Sequence, residues 1–284
     1  MSQMDFRVVA LIACFNRQAK TLGCLQCLEK AFSLAKIAPS CVVLDDGSTD
    51  GTAATVRDAF PWVHVIDGAG DLFWNRGMYE AWRCAHAEGF DAYLWVNDDV
   101  VLEADALKRA LDCMAATRDK DGRPAIVVGS LRWPGTDRVA YGGVVRPNRW
   151  LRTRFRIVQP GTSATDCETM NGNFVLIPRE VVDRVGLLDP AFEHGMGDFD
   201  YGLRARAAGC RVVAMPGFVG ECSRNPVGGS FADLSLPRFK RFRKLLDRRF
   251  LPPRSWLHFT RRHGGVLWPA FWIWPYLRVL VGGR

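Results

Sequence analysis

Ala92-Tyr93-Leu94-Trp95-Val96-Asn97-Asp98-Asp99-Val100 is an apolar run of strand length that ends abruptly in two adjacent carboxylates. Like charges side by side repel, so such a pair is tolerated where a cation or a polar ligand lies against it. Hard oxygen donors of this kind suit Mg²⁺ or Mn²⁺ rather than zinc. An ordinary Asn-Asp-Asp turn closing a strand would use the same residue types, because turns also favour Asn and Asp. This stretch alone leaves both readings open.

Two upstream segments repeat the pattern. Ser40-Cys41-Val42-Val43-Leu44 runs into Asp45-Asp46-Gly47-Ser48-Thr49-Asp50-Gly51-Thr52, and Phe6 to Ala13 reads as a strand that ends at Cys14-Phe15-Asn16-Arg17. In open α/β sheets ligands bind beyond the carboxyl ends of the strands, so these ends can face one crevice. Between them the spacing predicts helices: one carrying Leu22, Leu25, Leu28, Phe32 and Ala35, one from Thr52 to Phe60, one beginning near Asn75, and one from Ala104 to Arg118. A short strand, Val63 to Ile66, precedes the Gly-rich stretch Asp67 to Met78, whose glycines and Arg76 make it a candidate ligand wall. Repeated βα units imply an α/β fold with a mainly parallel sheet flanked by helices. From Ile126 to about Ile177 strand-like pieces and Gly, Pro and Asn turns dominate, before helix returns at Pro178 to Val185 and after Gly197-Asp198-Phe199-Asp200. Acids in a helix's first turn are favoured by its dipole, so Asp198 and Asp200 read either as caps or as site residues.

The 284 residues, 48% of them apolar, suffice for a sizeable core. Nine cysteines, mostly inside apolar periodic segments, predict reduced thiols rather than a disulfide framework. The amino terminus carries Asp5 and Arg7 and runs straight into a strand, which predicts no signal peptide and a cytoplasmic protein. Net charge is +8, and ten basic residues lie between 238 and 263 against one acid, Asp247. The aromatic stretch Val266 to Leu277 follows, too short and proline-broken to span a bilayer. Two readings of this tail stay open. One is contact with a membrane surface, cations on anionic headgroups and Trp and Tyr at the boundary, which would make the protein peripheral on the inner face of the cytoplasmic membrane. The other is packing on the preceding α/β domain or on a sister subunit, a homodimer. Nucleic acid is excluded as a partner, because no recognisable module for it is present and paired acids at strand ends would repel phosphates.

The ordered set Val9 to Arg17, Val42 to Asp50, Leu94 to Asp99 and Gly197 to Gly209 resembles the inverting nucleotide-sugar glycosyltransferases of family 2, which have the GT-A fold. The resemblance spans residues 6 to about 225. Phe73-Trp74-Asn75-Arg76-Gly77-Met78 is similar to the rhamnosyltransferase-like branch. It implies a GT-A catalytic domain over 1–225, with a nucleotide-sugar-binding half (1–120) and an acceptor-binding and catalytic half (121–225). A helical basic and aromatic extension follows over 226–284. It implies a nucleotide-sugar donor (dTDP-rhamnose first, UDP- and GDP-sugars next), a glycan or polyprenyl- or lipid-linked acceptor, and a setting in bacterial surface-polysaccharide synthesis. Asp46 matches the acid that bonds the base, with Ala13, Asn16, Arg17 and Asp45 around the same strand ends. Asp99 matches the metal-binding carboxylate, Asn97 stands where the first acid of Asp-x-Asp is usual, and Asp98 can share its task. Asp198 matches the catalytic base, preceded by Gly197 where the family has Glu. His194 and Asp200 are acceptor-side or helix-cap candidates. No histidine occupies the place of the further metal ligand, where Glu221, Cys222 and Arg224 stand. A catalytically impaired nucleotide-sugar-binding protein and a sugar nucleotidyltransferase are the alternative expectations.

Overall fold

The computed structural model describes residues 6–223 and 228–282. Arg224, one of the residues at the place of the further metal ligand, lies outside the described residues. The first half alternates strictly: β1 (Val8–Cys14), α1 (Gln18–Ala35), β2 (Cys41–Asp45), α2 (Thr52–Ala59), β3 (Val63–Asp67), α3 (Phe73–Ala87) and β4 (Ala92–Val96). Then come β5 (Val101–Leu102), α4 (Ala106–Asp121) and β6 (Ala125–Arg132). Short strands follow: β7 (Val139–Tyr141), β8 (Gly143–Val145), β9 (Arg156–Ile157), β10 (Thr165–Asp166), β11 (Thr169–Met170) and β12 (Phe174–Pro178). The chain continues through α5 (Arg179–Val185), α6 (Gly197–Ala207), β13 (Arg211–Glu221), α7 (Arg238–Leu245), α8 (Pro253–His263) and α9 (Trp268–Leu280).

The main sheet runs β10-β13-β6-β12-β4-β1-β2-β3, with β5 beside β13 and β7 beside β6; β11, β8 and β9 form a second, small sheet. β1, β2, β3 and β4 pair in parallel, whereas β12 is antiparallel between β4 and β6. Both faces are covered, so β1, β2 and β4 read as continuous apolar runs that are almost wholly buried. Register aligns their ends: Cys14 pairs with Asp45, Asp45 with Asp67, and Leu11 with Trp95, two residues before Asn97. The acids therefore gather at one edge. All nine cysteines are free thiols.

The tail is part of the same body. Phe192 and Leu203 share an apolar cluster with Leu245, Trp256, Phe259, Tyr276 and Val279 from α7, α8 and α9. Pro275 inside α9 has no N–H to give the Phe271 carbonyl four residues back. The Trp256 indole N–H donates to that carbonyl at 3.2 Å, and Tyr276 Oη donates to Leu251 O at 3.0 Å. The polar groups of Trp256 and Tyr276 are thus spent within the tail itself. No helix among the described residues is long and apolar enough to cross a membrane.

Candidate functional site

The sheet's carboxyl edge brings together Asn16, Arg17, Asp45, Asp46, Asn97, Asp98 and Asp99. A left-handed Asn16 (φ 50°) turns the chain after β1, and its Oδ1 accepts from Thr49 N at 2.8 Å, which ties the β1 and β2 ends together. Asp45 Oδ1 accepts from Ser48 N, while its buried Oδ2 has no protein partner. Asp46 is already heavily engaged: Gly70 N, Leu72 N and Phe73 N donate to its two oxygens at 2.9–3.3 Å. It therefore shapes the 68–73 loop, and a nucleobase would have to share its lone pairs. Ala13 lies half-buried at the same edge, its Cβ 3.1 Å from where a Cβ on Gly77 would be.

Asp98 Oδ1 and Asp99 Oδ2 converge on one nitrogen, Arg17 Nη1, at 3.0 and 3.1 Å, with Lys20 Nζ 3.9 Å from Asp99. Burial pushes the Asp98 carboxyl up to about 6, against the pull of Arg17 and with a further push from Asp99. On the far side the Cys222 thiol donates to Asp99 Oδ1 at 3.4 Å; burial and the Asp99 charge push that thiol up to about 12. Two carboxylate oxygens from neighbouring residues aimed at one cationic point fit a hard divalent ion, which is commonly held by one or two carboxylates plus substrate phosphates. Among the described residues no group of three or more His, Cys, Asp and Glu forms a complete protein cage. Glu221 does not contribute: it turns away to accept from Arg132 Nε at 3.2 Å.

Asp198 sits in the first turn of α6, where Met196 in the left-handed region (φ 72°) redirects the chain. Its Oδ2 accepts from Gly172 N at 3.0 Å and its Oδ1 from Phe199 N at 2.8 Å. Burial nevertheless pushes it up to about 6, the outcome of desolvation outweighing those amide bonds. Asp200, one face away, is fully buried and takes a structural role. Arg204 Nε reaches its Oδ2 at 2.7 Å, and Arg262 Nη1 and His263 Nε2 reach its Oδ1 at 2.8 Å. Burial alone would raise its pKa, but His263, Arg204 and Arg262 hold it down at about 2. Asp200 is thus neither a cap nor open to an acceptor. Arg76 is likewise engaged, with Nε donating to Pro190 O at 3.0 Å and Nη2 3.7 Å from Glu193. His194 is packed edge-on to Phe73, and burial, then the charges of Arg249 and Arg17, depress its pKa, leaving Nδ1 without a partner.

The residues that join these two ends escaped the sequence reading. Trp74 Nε1 donates to Asn97 Oδ1 at 2.8 Å, and the far edge of its ring lies where a Cβ on Gly172 would come within 2.5 Å. The indole therefore spans from the Asn97 end to the peptide that holds Asp198. Asn75 Nδ2 donates to Asp189 O and Phe192 O, and a Cβ on Gly197 would fall 1.7 Å from Asn75 Oδ1. Asn75 of α3 thus accounts for one departure from the family pattern, because it requires glycine at 197, whereas Trp74 bonds an oxygen that an acid at 97 would offer as well. Below them, Trp82, Trp95 and Tyr201 pack with ring centroids 5.1–5.3 Å apart, locking α3, β4 and α6 to one another. The Phe73-Trp74-Asn75-Arg76 sequence was the available signal, but only Arg76 within it had evident chemistry.

A mainly parallel sheet with acids at its carboxyl edge and an acid-bearing helix across from them defines a GT-A type glycosyltransferase fold. Residues 6–227 match the family model described as "Glycosyltransferase like family 2", and the chain belongs to that family. Among solved structures it is similar to S. aureus TarS (12% identity, TM-score 0.55, covering 90% of this chain and 42% of that one). A mannosyltransferase from Pyrobaculum calidifontis in complex with GDP-Man and Mn²⁺ aligns over 97% of this chain and 73% of its own, at 17% identity and TM-score 0.55. GalNAc-T7 with UDP, GalNAc and Mn²⁺ aligns over 74% of this chain and 42% of its own, at 14% identity and TM-score 0.55. The chain spans less than half the length of TarS and GalNAc-T7. No match was found among curated protein sequences.

Proposed function

We propose that the protein transfers a sugar from a nucleoside-diphosphate donor to an acceptor hydroxyl with inversion. The observation that carries this reading is the pair of acids at opposite ends of the Trp74 indole. One end is the Asp98–Asp99 pair, built to face positive charge. The other is Asp198, whose pKa near 6 suits a general base at neutral pH. In this reading the donor lies along the β1, β2 and β4 ends, with Ala13, Asn16, Asp45 and Asp46 around the base and ribose. Asn97, its oxygen taken by Trp74, keeps its amide N–H groups for a ligand oxygen. Asp99, with Asp98, would hold Mg²⁺ or Mn²⁺, which supplies charge stabilisation to the departing diphosphate. Arg17 gives up Asp98 and Asp99 at that moment and offers its guanidinium to the phosphates.

Asp198 then accepts the proton of the acceptor hydroxyl as the hydroxyl attacks the anomeric carbon from the face opposite the diphosphate. The Gly172 N–H keeps the carboxylate oriented. The rhamnosyltransferase-like likeness of Phe73 to Met78 favours dTDP-rhamnose, and the basic, aromatic tail favours a glycan acceptor carried on a polyprenyl or other lipid at the inner face of the cytoplasmic membrane. Bacterial surface-polysaccharide synthesis is the corresponding setting. Thermal shifts with dTDP-rhamnose, UDP-sugars and GDP-sugars, each with and without Mn²⁺, test the donor assignment, since a ligand that binds only the folded state raises its stability. A metal-dependent shift with one donor supports it. No shift with any nucleotide sugar contradicts it.

A further inference from the structure

A cavity of about 390 Å³ lies between the 153–154 loop and the tail, outside the donor site. That is within the range of small-molecule pockets. Its walls include Phe231, Phe250, Trp256 and Phe271, with Pro275 of α9 beside them. Such a lining takes an apolar chain. Besides Thr153 its polar lining residues are three arginines, and two of them are not spent. Arg249 is paired with Asp247, but Arg154 and Arg278 have no side-chain partner among the described residues, and Arg278 Nε is buried without one. A buried donor in an aromatic cavity needs an acceptor, and two unpaired guanidinium groups match a phosphate.

Two more observations fix how such a ligand would lie. At the outer rim Trp274 is 55% exposed, next to the exposed apolar residues Ile273 and Leu277. An apolar chain can leave the cavity there toward a bilayer. At the inner wall Phe250 O lies 3.7 Å from where a Cβ on Gly195 would be, three residues before Asp198. The cavity therefore backs onto the loop that leads to the proposed base.

We propose that this cavity binds a lipid phosphate, with the isoprenoid or acyl chain among the aromatic residues and the phosphate on Arg154 and Arg278. It would anchor the acceptor so that its sugar end projects past the 194–196 loop toward Asp198. The inference rests on reading the α6 side as the acceptor side.

Isothermal titration with farnesyl phosphate, farnesol, inorganic phosphate and phosphatidylglycerol vesicles tests it on the full chain. Farnesyl phosphate binds saturably at one site, and neither farnesol nor inorganic phosphate at equal concentration displaces it. Arg278→Gln and Arg154→Gln each weaken farnesyl phosphate by about tenfold, the scale of one lost charge-assisted hydrogen bond, and leave nucleotide-sugar binding unchanged. Arg154 is exposed on a loop, so its variant keeps the fold even if the other does not. Farnesol binding as tightly as farnesyl phosphate, unchanged affinity in Arg154→Gln, or uptake only by vesicles overturns the proposal. Loss of nucleotide-sugar binding in the unaltered protein, with farnesyl phosphate still bound, would overturn the donor assignment and leave the cavity standing.

Discussion

Asp46 and Asp200 are both buried carboxylates near the ligand edge of the sheet, and they are satisfied by opposite means. Asp46 collects backbone N–H groups from a loop 24–27 residues along the chain, all within the βα repeats of the first half. Asp200 collects side-chain partners, Arg204 on its own helix and Arg262 and His263 from α8 more than sixty residues away. Arg262 also reaches Asp189 at 2.8 Å, so one guanidinium clamps the loop before α6 and α6 itself. The donor end is thus built locally, whereas the base end depends on the tail. A tail that only met a membrane could be removed without consequence for Asp198; this one cannot.

The most severe way to break the comparison is to end the chain after Pro237. That exposes Phe192 and Leu203 and strips Asp200 of Arg262 and His263, and loss of one partner from a buried pair alone costs about 3–5 kcal/mol. Thermal denaturation should show a protein that no longer melts cooperatively, and a melting curve like that of the full chain would refute the dependence. Arg262→Ala is the point version, expected to cost about 3 kcal/mol by chemical denaturation, since it loses charge-assisted bonds to Asp200 and Asp189 at about 1.5 kcal/mol each while Arg204 and His263 stay on Asp200. Asp46→Ala should be milder, about 1–3 kcal/mol from amides left unbonded, with its larger consequence in donor affinity.

Gly197→Ala drives a methyl into Asn75 Oδ1, and overpacking of this kind costs about 1–3 kcal/mol. Asn75→Ser shortens the obstructing side chain, so the double variant should recover part of the loss. Additive costs in the two variants would mean that Asn75 and Gly197 are not coupled.

How far the sequence carried this picture follows the same division. β1, β2, β4 and their helices were readable because apolar runs and helical spacing are short-range signals, and Asn97 to Asp99 and Asp45-Asp46 announced themselves as charge at strand ends. β13, at eleven residues the longest strand, was not read, because Pro216 and Gly217 interrupt it; in the fold they mark the irregular register against β6. Asp200 looked like a site residue beside Asp198, since nothing local shows that Arg262 and His263 fold back onto it. Trp74 and Asn75 were hidden for a similar reason: an indole and an amide acquire their roles only from Asn97, Gly172 and Gly197 across the sheet.

The smallest expected effects separate the two acids of α6 by pH. Asp200 titrates below its ordinary range, so its contribution to stability is present above about 3.8 and is lost as pH falls through about 2. Asp198 is raised, so the sign reverses: its ionisation weakens the fold as pH rises through about 6. Asp198→Asn should therefore melt slightly higher than the unaltered protein at pH 7 to 8, and the difference should vanish below about pH 4. A variant that is less stable at neutral pH would show that the carboxylate is held for structure.

The most direct measurement is sugar transfer by Asp198→Asn with donor saturating and a soluble acceptor. An amide keeps the shape and much of the hydrogen bonding but cannot take a proton. Turnover should fall by roughly 10²-fold or more, the scale of a lost general base, and the acid limb near pH 6 should disappear from the residual rate, while donor affinity stays as it was. Near-normal turnover in Asp198→Asn would contradict the assignment of Asp198 as the base.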